Sequence, residues 1–159
     1  MNQEIKQLIE KFDLRPHPEG GYYSETYRSK IDIPKVDRQL MTAIYFLLPS
    51  GSVSHFHRIK SDEIWFFHSG SSLSVHTLDN HGHTIHKVGN NILSGEVPQL
   101  LVKANTIFGS SVDDKDSYSF VSCVVAPGFD FKDFELFKAK DLLPGFPECE
   151  EIIEQLTTK

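Results

Sequence analysis

Apolar residues in this chain change period twice. Ile5, Leu8, Ile9 and Phe12 recur at helical spacing, which predicts an amphipathic helix over residues 3–12. RPHPEGG then breaks the helix, because its prolines disfavour helical neighbours and Gly20-Gly21 permits a sharp turn. From there the pattern becomes short and extended. YYSETYRS alternates Tyr23, Glu25 and Tyr27 against Tyr22, Ser24, Thr26 and Arg28. A polar loop is expected near Lys30–Arg38, followed by the apolar strand MTAIYFLL at 41–48. SVSHFHRI, EIWFFHS, SLSVHTL, HTIHKV, LLVKAN, SYSFVSCVVA and FKDFELF continue the series, separated by Gly, Ser, Asn or Asp. Roughly eight to ten short strands, with turn signals every ~8–12 residues, predict an all-β sandwich or barrel. Helical spacing returns only at Cys149, Ile152, Ile153 and Leu156.

The 159 residues suit a single domain, 1–159, with a barrel core at about 20–137 and a helical tail at about 138–157. A formal charge of -6 and the lack of a basic run exclude an ordinary nucleic-acid binder. No stretch approaches the ~20 apolar residues of a membrane helix, and the first residues do not read as a secretion signal. Cys123 and Cys149 are therefore expected to be reduced thiols in the cytoplasm.

The chemistry concentrates in SHFHRIKSDEIWFFHSG, residues 54–70. In a strand, positions i and i+2 share a face, so His55 and His57 are expected to project together. RIKSD is polar enough to turn, and an antiparallel return brings Glu63 beside them. Two imidazoles and a carboxylate suit Fe(II), Mn, Ni or Zn.

This run resembles the first motif of the cupins: His-x-His, a short gap, Glu, six residues and Gly. The Glu63-to-Gly70 interval fits, while the interval from His57 to Glu63 is one residue longer. With LRPHPEGGYYSETYRS, MTAIYFLLPSGSVSHFHR, GEVPQLLVKANTIF and VAPGFDFKDFEL, the chain from residue 14 to about 137 resembles the cupin type 5 family, formerly a domain of unknown function. The resemblance implies a double-stranded β-helix, a small jelly-roll barrel with a pocket at its mouth, and a homodimer whose sheets extend across two subunits. It also marks a departure. Phe108 stands where the second motif of a metal cupin has its last histidine.

Three readings follow. The leading one has no cofactor: a protein that binds a small polar ligand, a sugar or nucleotide-linked sugar, with isomerase or epimerase chemistry. Some metal-free cupins that epimerise nucleotide-linked keto-sugars use a His base and a Tyr acid. The base here is expected to be His57, supported by Asp62 or Glu63, with Tyr27 or Tyr45 as the acid. Trp65, Phe67 and Phe108 are expected as an aromatic floor. Arg28 is a candidate anchor for phosphate or carboxylate, or a structural partner of Glu25. The alternative is a metal-dependent dioxygenase or isomerase that holds one divalent transition metal on His55, His57 and Glu63. A non-catalytic small-molecule sensor is the third option. His17 is expected as a turn residue, and His76, His81, His83 and His86 as exposed hairpin residues. The aromatics at 129–137 are expected to be structural.

Overall fold

The computed structural model describes residues 3–158. Helix α1 (Gln3–Lys11) carries Glu4 in its first turn and Lys11 in its last, a distribution that favours the helix dipole. After it come β1 (Arg15–Pro16) and β2 (Tyr22–Arg28). The segment expected as a loop contains a small ribbon, β3 (Asp32–Ile33) with β4 (Arg38–Gln39). Then follow β5 (Thr42–Pro49), β6 (Val53–Arg58), β7 (Asp62–Gly70), β8 (Leu73–Asp79), β9 (Gly82–Val88), β10 (Gln99–Val102), β11 (Ile107–Val112) and β12 (Tyr118–Ala126). The chain ends through β13 (Glu135–Leu136), α2 (Ala139–Leu142) and α3 (Glu150–Gln155).

The strands from β5 to β12 pair as nested antiparallel partners: β5 with β12, β6 with β11, β7 with β10, and β8 with β9. One sheet runs β1-β2-β5-β12-β7-β10 and the other β13-β6-β11-β8-β9. The chain is thus a long hairpin wound into two facing sheets, the double-stranded β-helix of a jelly roll. Between the sheets lie Phe46, Leu48, Trp65, Leu73, Val75, Val88, Phe108 and Val121. Each sheet also has an outer apolar layer. Helix α1 packs Ile5, Leu8 and Ile9, with Phe12 just beyond its end, over Leu47 and Phe120. The C-terminal segment packs Leu142, Ile153 and Leu156 over Phe56 and Leu78. Among the described residues no helix is long and apolar enough to cross a membrane.

Three register shifts interrupt the ladders. Thr26 is an extra residue between Glu25 and Tyr27 against β5. In β6, Ser54 and His57 pair with Ser110 and Phe108, so β6 carries one residue more than β11 there. His68 is the extra residue of β7 against β12. Each bulge reverses which side chains face inward beyond it. The segment expected as the strand FKDFELF is a helical turn at Phe131–Asp133 and the short β13, because the Asp130 carboxylate accepts the Lys132 N–H and tightens the chain.

Candidate functional site

At one end the two sheets leave a cavity of about 660 Å³ instead of closing on side chains. Its walls include Phe46 on β5, His57 on β6, Glu63 and Trp65 on β7, and Cys123 on β12, with Tyr23, Glu25 and Arg28 on β2. The turn before β2 supplies His17 and Glu19, and the strap after β12 supplies Phe129, Phe131 and Phe134. The strap is tied down by Arg38, whose Nε and Nη2 donate to the two Asp133 carboxylate oxygens at 2.8 and 2.9 Å. Phe134 packs on the rings of His57 and His17, with centroids 5.3 and 5.9 Å apart.

Glu19 is the centre of the site, although it sits in a turn. Gly20, at φ +113°, makes that turn; a Cβ there would run into the Val53 carbonyl oxygen. Such a conformation is open mainly to glycine. Glu19 is thereby held against β6, where its carbonyl oxygen accepts both the N–H and the ring Nδ1–H of His55, at 2.7 and 2.6 Å. The bulge of β6 then lets Ser54 and His57 reach the same carboxyl group. Ser54 donates its hydroxyl to Glu19 Oε1 at 2.8 Å, and His57 Nε2 lies 3.1 Å from Glu19 Oε2. Regular alternation would put positions 54 and 57 on opposite faces.

The partners fix the protons. His57 Nδ1 faces the His55 carbonyl oxygen at 2.7 Å, so Nδ1 carries the hydrogen and Nε2 presents a lone pair. His17 Nδ1 accepts the Glu19 N–H at 3.2 Å, so it is unprotonated and has no hydrogen to donate to Glu19 Oε2, 3.4 Å away. An oxygen beside two unprotonated imidazole nitrogens, one of them with an open lone pair, is best matched as a hydroxyl. Glu19 is therefore assigned as a neutral carboxylic acid that accepts at Oε1 and donates from Oε2.

Burial pushes its titration in that direction. It raises the Glu19 pKa, against the opposing pull of His17 and the Ser54 hydrogen bond. It lowers His57 to about 4, against the raising effect of the His55 carbonyl. His17 is also lowered by burial. Glu63, beside the Cys123 thiol, is pushed up to about 8, chiefly by burial. The deep cavity thus holds two neutral acids and two neutral bases near neutral pH.

Against expectation, several predicted site residues lie elsewhere. His57, Glu63, Trp65 and Arg28 line the cavity. His55 is turned onto the Glu19 backbone by the bulge. Among the described residues no set of three or more His, Cys, Asp or Glu side chains is disposed to hold a metal. The His55, His57 and Glu63 set therefore does not fit the ion expected for it, and the carboxyl group that touches His57 is that of Glu19. Phe108 is buried beneath His57, with ring centroids 4.2 Å apart, and Phe67 packs against the core between the sheets. Tyr45 faces away, packed in tilted and edge-on contacts among Phe12, His68 and Phe120 under α1. Tyr27, moved outward by the Thr26 bulge, is 51% exposed. Asp62 accepts the Ala104 N–H on the surface at 2.8 Å. The same bulge turns Arg28 inward beside Glu25, where they form a two-pronged pair at 2.9 and 2.7 Å. On the hairpin, His76 is buried rather than exposed, bonded to His83 and Ser111. His17, Glu19, Tyr23 and the strap phenylalanines were not selected as site residues from the sequence. The only local signal is a carboxylate two residues after a histidine and directly before Gly-Gly.

Comparison with known proteins supplies the lineage. The family model described as Cupin superfamily (DUF985) matches residues 6–137. Uncharacterized protein YML079W of Saccharomyces cerevisiae is 31% identical over 156 residues, covering 87% of this chain and 78% of that protein. Protein SO0799 from Shewanella oneidensis matches with a TM-score of 0.91 and 41% identity, over 99% of this chain and 98% of that one. A hypothetical protein from Leishmania major gives 0.90 and 39%, over 97% and 98%. Oxalate decarboxylase OxdC of Bacillus subtilis gives 0.59 and 17%, over 95% of this chain and 39% of that one, a likeness of fold alone.

Proposed function

This chain belongs to the Cupin superfamily (DUF985), and from that premise we propose that it binds a small polar carbonyl compound, a sugar in the simplest case, and moves a proton beside the carbonyl. This is isomerase- or epimerase-type chemistry. The observation that carries the reading is the placement of Glu19 Oε2 between His57 Nε2 and His17 Nδ1, at 3.1 and 3.4 Å, in a cavity large enough for a ligand.

The Glu19 hydroxyl has one open imidazole acceptor, His57 Nε2, because the His17 Nδ1 lone pair is taken by the Glu19 N–H. Turned toward His57, it occupies the base. Turned away from His57 toward an oxygen of the ligand, it frees the His57 Nε2 lone pair. His57 then takes the proton from the carbon next to the carbonyl. The C–H electron pair becomes the carbon–carbon double bond of an enol, and the carbonyl oxygen takes the proton of Glu63. Return of the His57 proton to the former carbonyl carbon, with the neighbouring hydroxyl giving its proton to Glu63 and becoming the new carbonyl, completes isomerisation. Return to the other face of the same carbon, after the enol turns over and gives its O–H proton back to Glu63, completes epimerisation. A neutral acid at Glu63 suits this task because its pKa of about 8 keeps it protonated near neutral pH. Aromatic walls from Trp65, Phe46 and the strap offer faces for the C–H surfaces of a sugar ring.

The test is solvent deuterium exchange, followed by proton NMR, on a panel of free and derivatised aldoses and ketoses. Exchange at the carbon next to the carbonyl is expected, falling by about 10²-fold or more in His57→Asn and in Glu63→Gln. Binding without exchange overturns the proposal and favours a non-catalytic sensor; exchange that His57→Asn leaves unchanged overturns His57 as the base.

A further inference from the structure

The charged groups at the mouth bear on which sugar the cavity takes, a question that rests on the reading above. Its lining holds two guanidinium groups, Arg15 and Arg28. Arg28 is committed. Its Nε and Nη2 donate to Glu25, Nη2 also donates to the Phe129 carbonyl oxygen at 3.1 Å, and Nη1 donates to Gln39 Oε1 at 2.9 Å. These contacts occupy most of its fork and use the bidentate geometry that a phosphate would need. Arg15 faces Asp13 at 3.1 Å, on a side chain that solvent largely surrounds. Asp130 adds a third carboxylate to the rim. An incoming phosphate therefore meets Asp13, Glu25 and Asp130 against two cations that already have partners.

Deeper in, the donors and acceptors are uncharged. The Glu19 hydroxyl faces the His57 lone pair, His17 and Ser54 are spent on Glu19, and Glu63 is bonded to the Cys123 thiol. Such groups match hydroxyls and a carbonyl, and offer nothing that neutralises an anion. We infer that the cavity selects an uncharged, unphosphorylated carbonyl sugar over its phosphate esters and nucleotide-linked forms. Of the two ligand classes expected from the sequence, this keeps the free sugar.

Isothermal titration of D-fructose and D-glucose, their 6-phosphates and UDP-glucose, at about 20 and about 300 mM NaCl, tests the inference. A free sugar is expected to bind at least about tenfold tighter than its 6-phosphate, with an affinity that changes less than about twofold with salt. Glu25→Gln releases Arg28 and is expected to raise the affinity ratio of the 6-phosphate to the free sugar by about tenfold or more. Tighter binding of a phosphate or of UDP-glucose by the wild type overturns the inference, as does failure of both free sugars to bind. The readout is binding alone. A preference for the free sugar without deuterium exchange defeats the proton-transfer reading and leaves this one standing; exchange on a phosphorylated sugar bound more tightly does the reverse.

Discussion

Glu63→Gln changes one atom and removes one titration. In the folded protein Glu63 is buried and holds its proton up to about pH 8, whereas in the unfolded chain it ionises near its ordinary value of 4.5. Between those values the folded state binds more protons than the unfolded state, so stability falls as pH rises, and above pH 8 the difference levels off. One retained proton corresponds to about 1.4 kcal/mol per pH unit, so from about pH 5.5 to about pH 8 wild type loses about 3 kcal/mol through this group alone. The glutamine keeps the shape, can accept from the Cys123 thiol and does not ionise. It is expected to match wild type within about 1 kcal/mol near pH 5.5 and to exceed it by roughly 3 kcal/mol or more near pH 8.5. Urea unfolding at about pH 5.5, 7 and 8.5, with an unchanged slope as the check on two-state behaviour, measures the difference. His57 has the opposite sign. Its folded pKa of about 4 lies below the ordinary 6.5, so its contribution is present above pH 6.5 and drains away as pH falls toward 4. If the wild-type and Glu63→Gln curves run parallel from acid to alkaline pH, Glu63 is ionised in the folded protein and cannot be the proposed acid.

Three further outcomes follow from the same contacts. Gly20→Ala places a Cβ against the Val53 carbonyl oxygen and should lower stability by about 2 kcal/mol or more; a wild-type urea midpoint would show that the Glu19 turn is not held as described. Asp133→Ala removes the two-pronged tie from Arg38, and limited proteolysis should cut the strap about tenfold faster than in wild type, with an unchanged rate as the refuting result. Ser119 Oγ is buried with no hydrogen-bond partner among the described residues, so Ser119→Ala should raise stability by about 1 kcal/mol, and a drop in the urea midpoint would mean that the hydroxyl is bonded after all.

An all-β sandwich or barrel was legible because alternation and turn residues repeat over the whole length of the chain, while the jelly-roll pairing was implied only by the resemblance of its motifs to the cupins. The site was only half legible, and the reason is parity. Counting by twos from Glu25 puts Tyr27 inward and Arg28 outward; the extra Thr26 exchanges them. Counting by twos from His57 brings His55 with it; the β6 bulge brings Ser54 instead and turns His55 onto the Glu19 backbone. A bulge is a property of two paired strands, and one strand's composition does not announce it. Gly109 shows how far the decision lies from the residues it affects. A Cβ there would sit 2.7 Å from the Ser54 carbonyl oxygen and 3.2 Å from the Phe56 nitrogen, so the close approach that accommodates the β6 bulge depends on a missing side chain some fifty residues downstream. The same logic accounts for Glu19. Its place beside His57 comes from a glycine turn docking on β6, a contact between segments far apart in sequence. The strand residues that the motif picks out supply the imidazole, and a turn outside the motif supplies its acid.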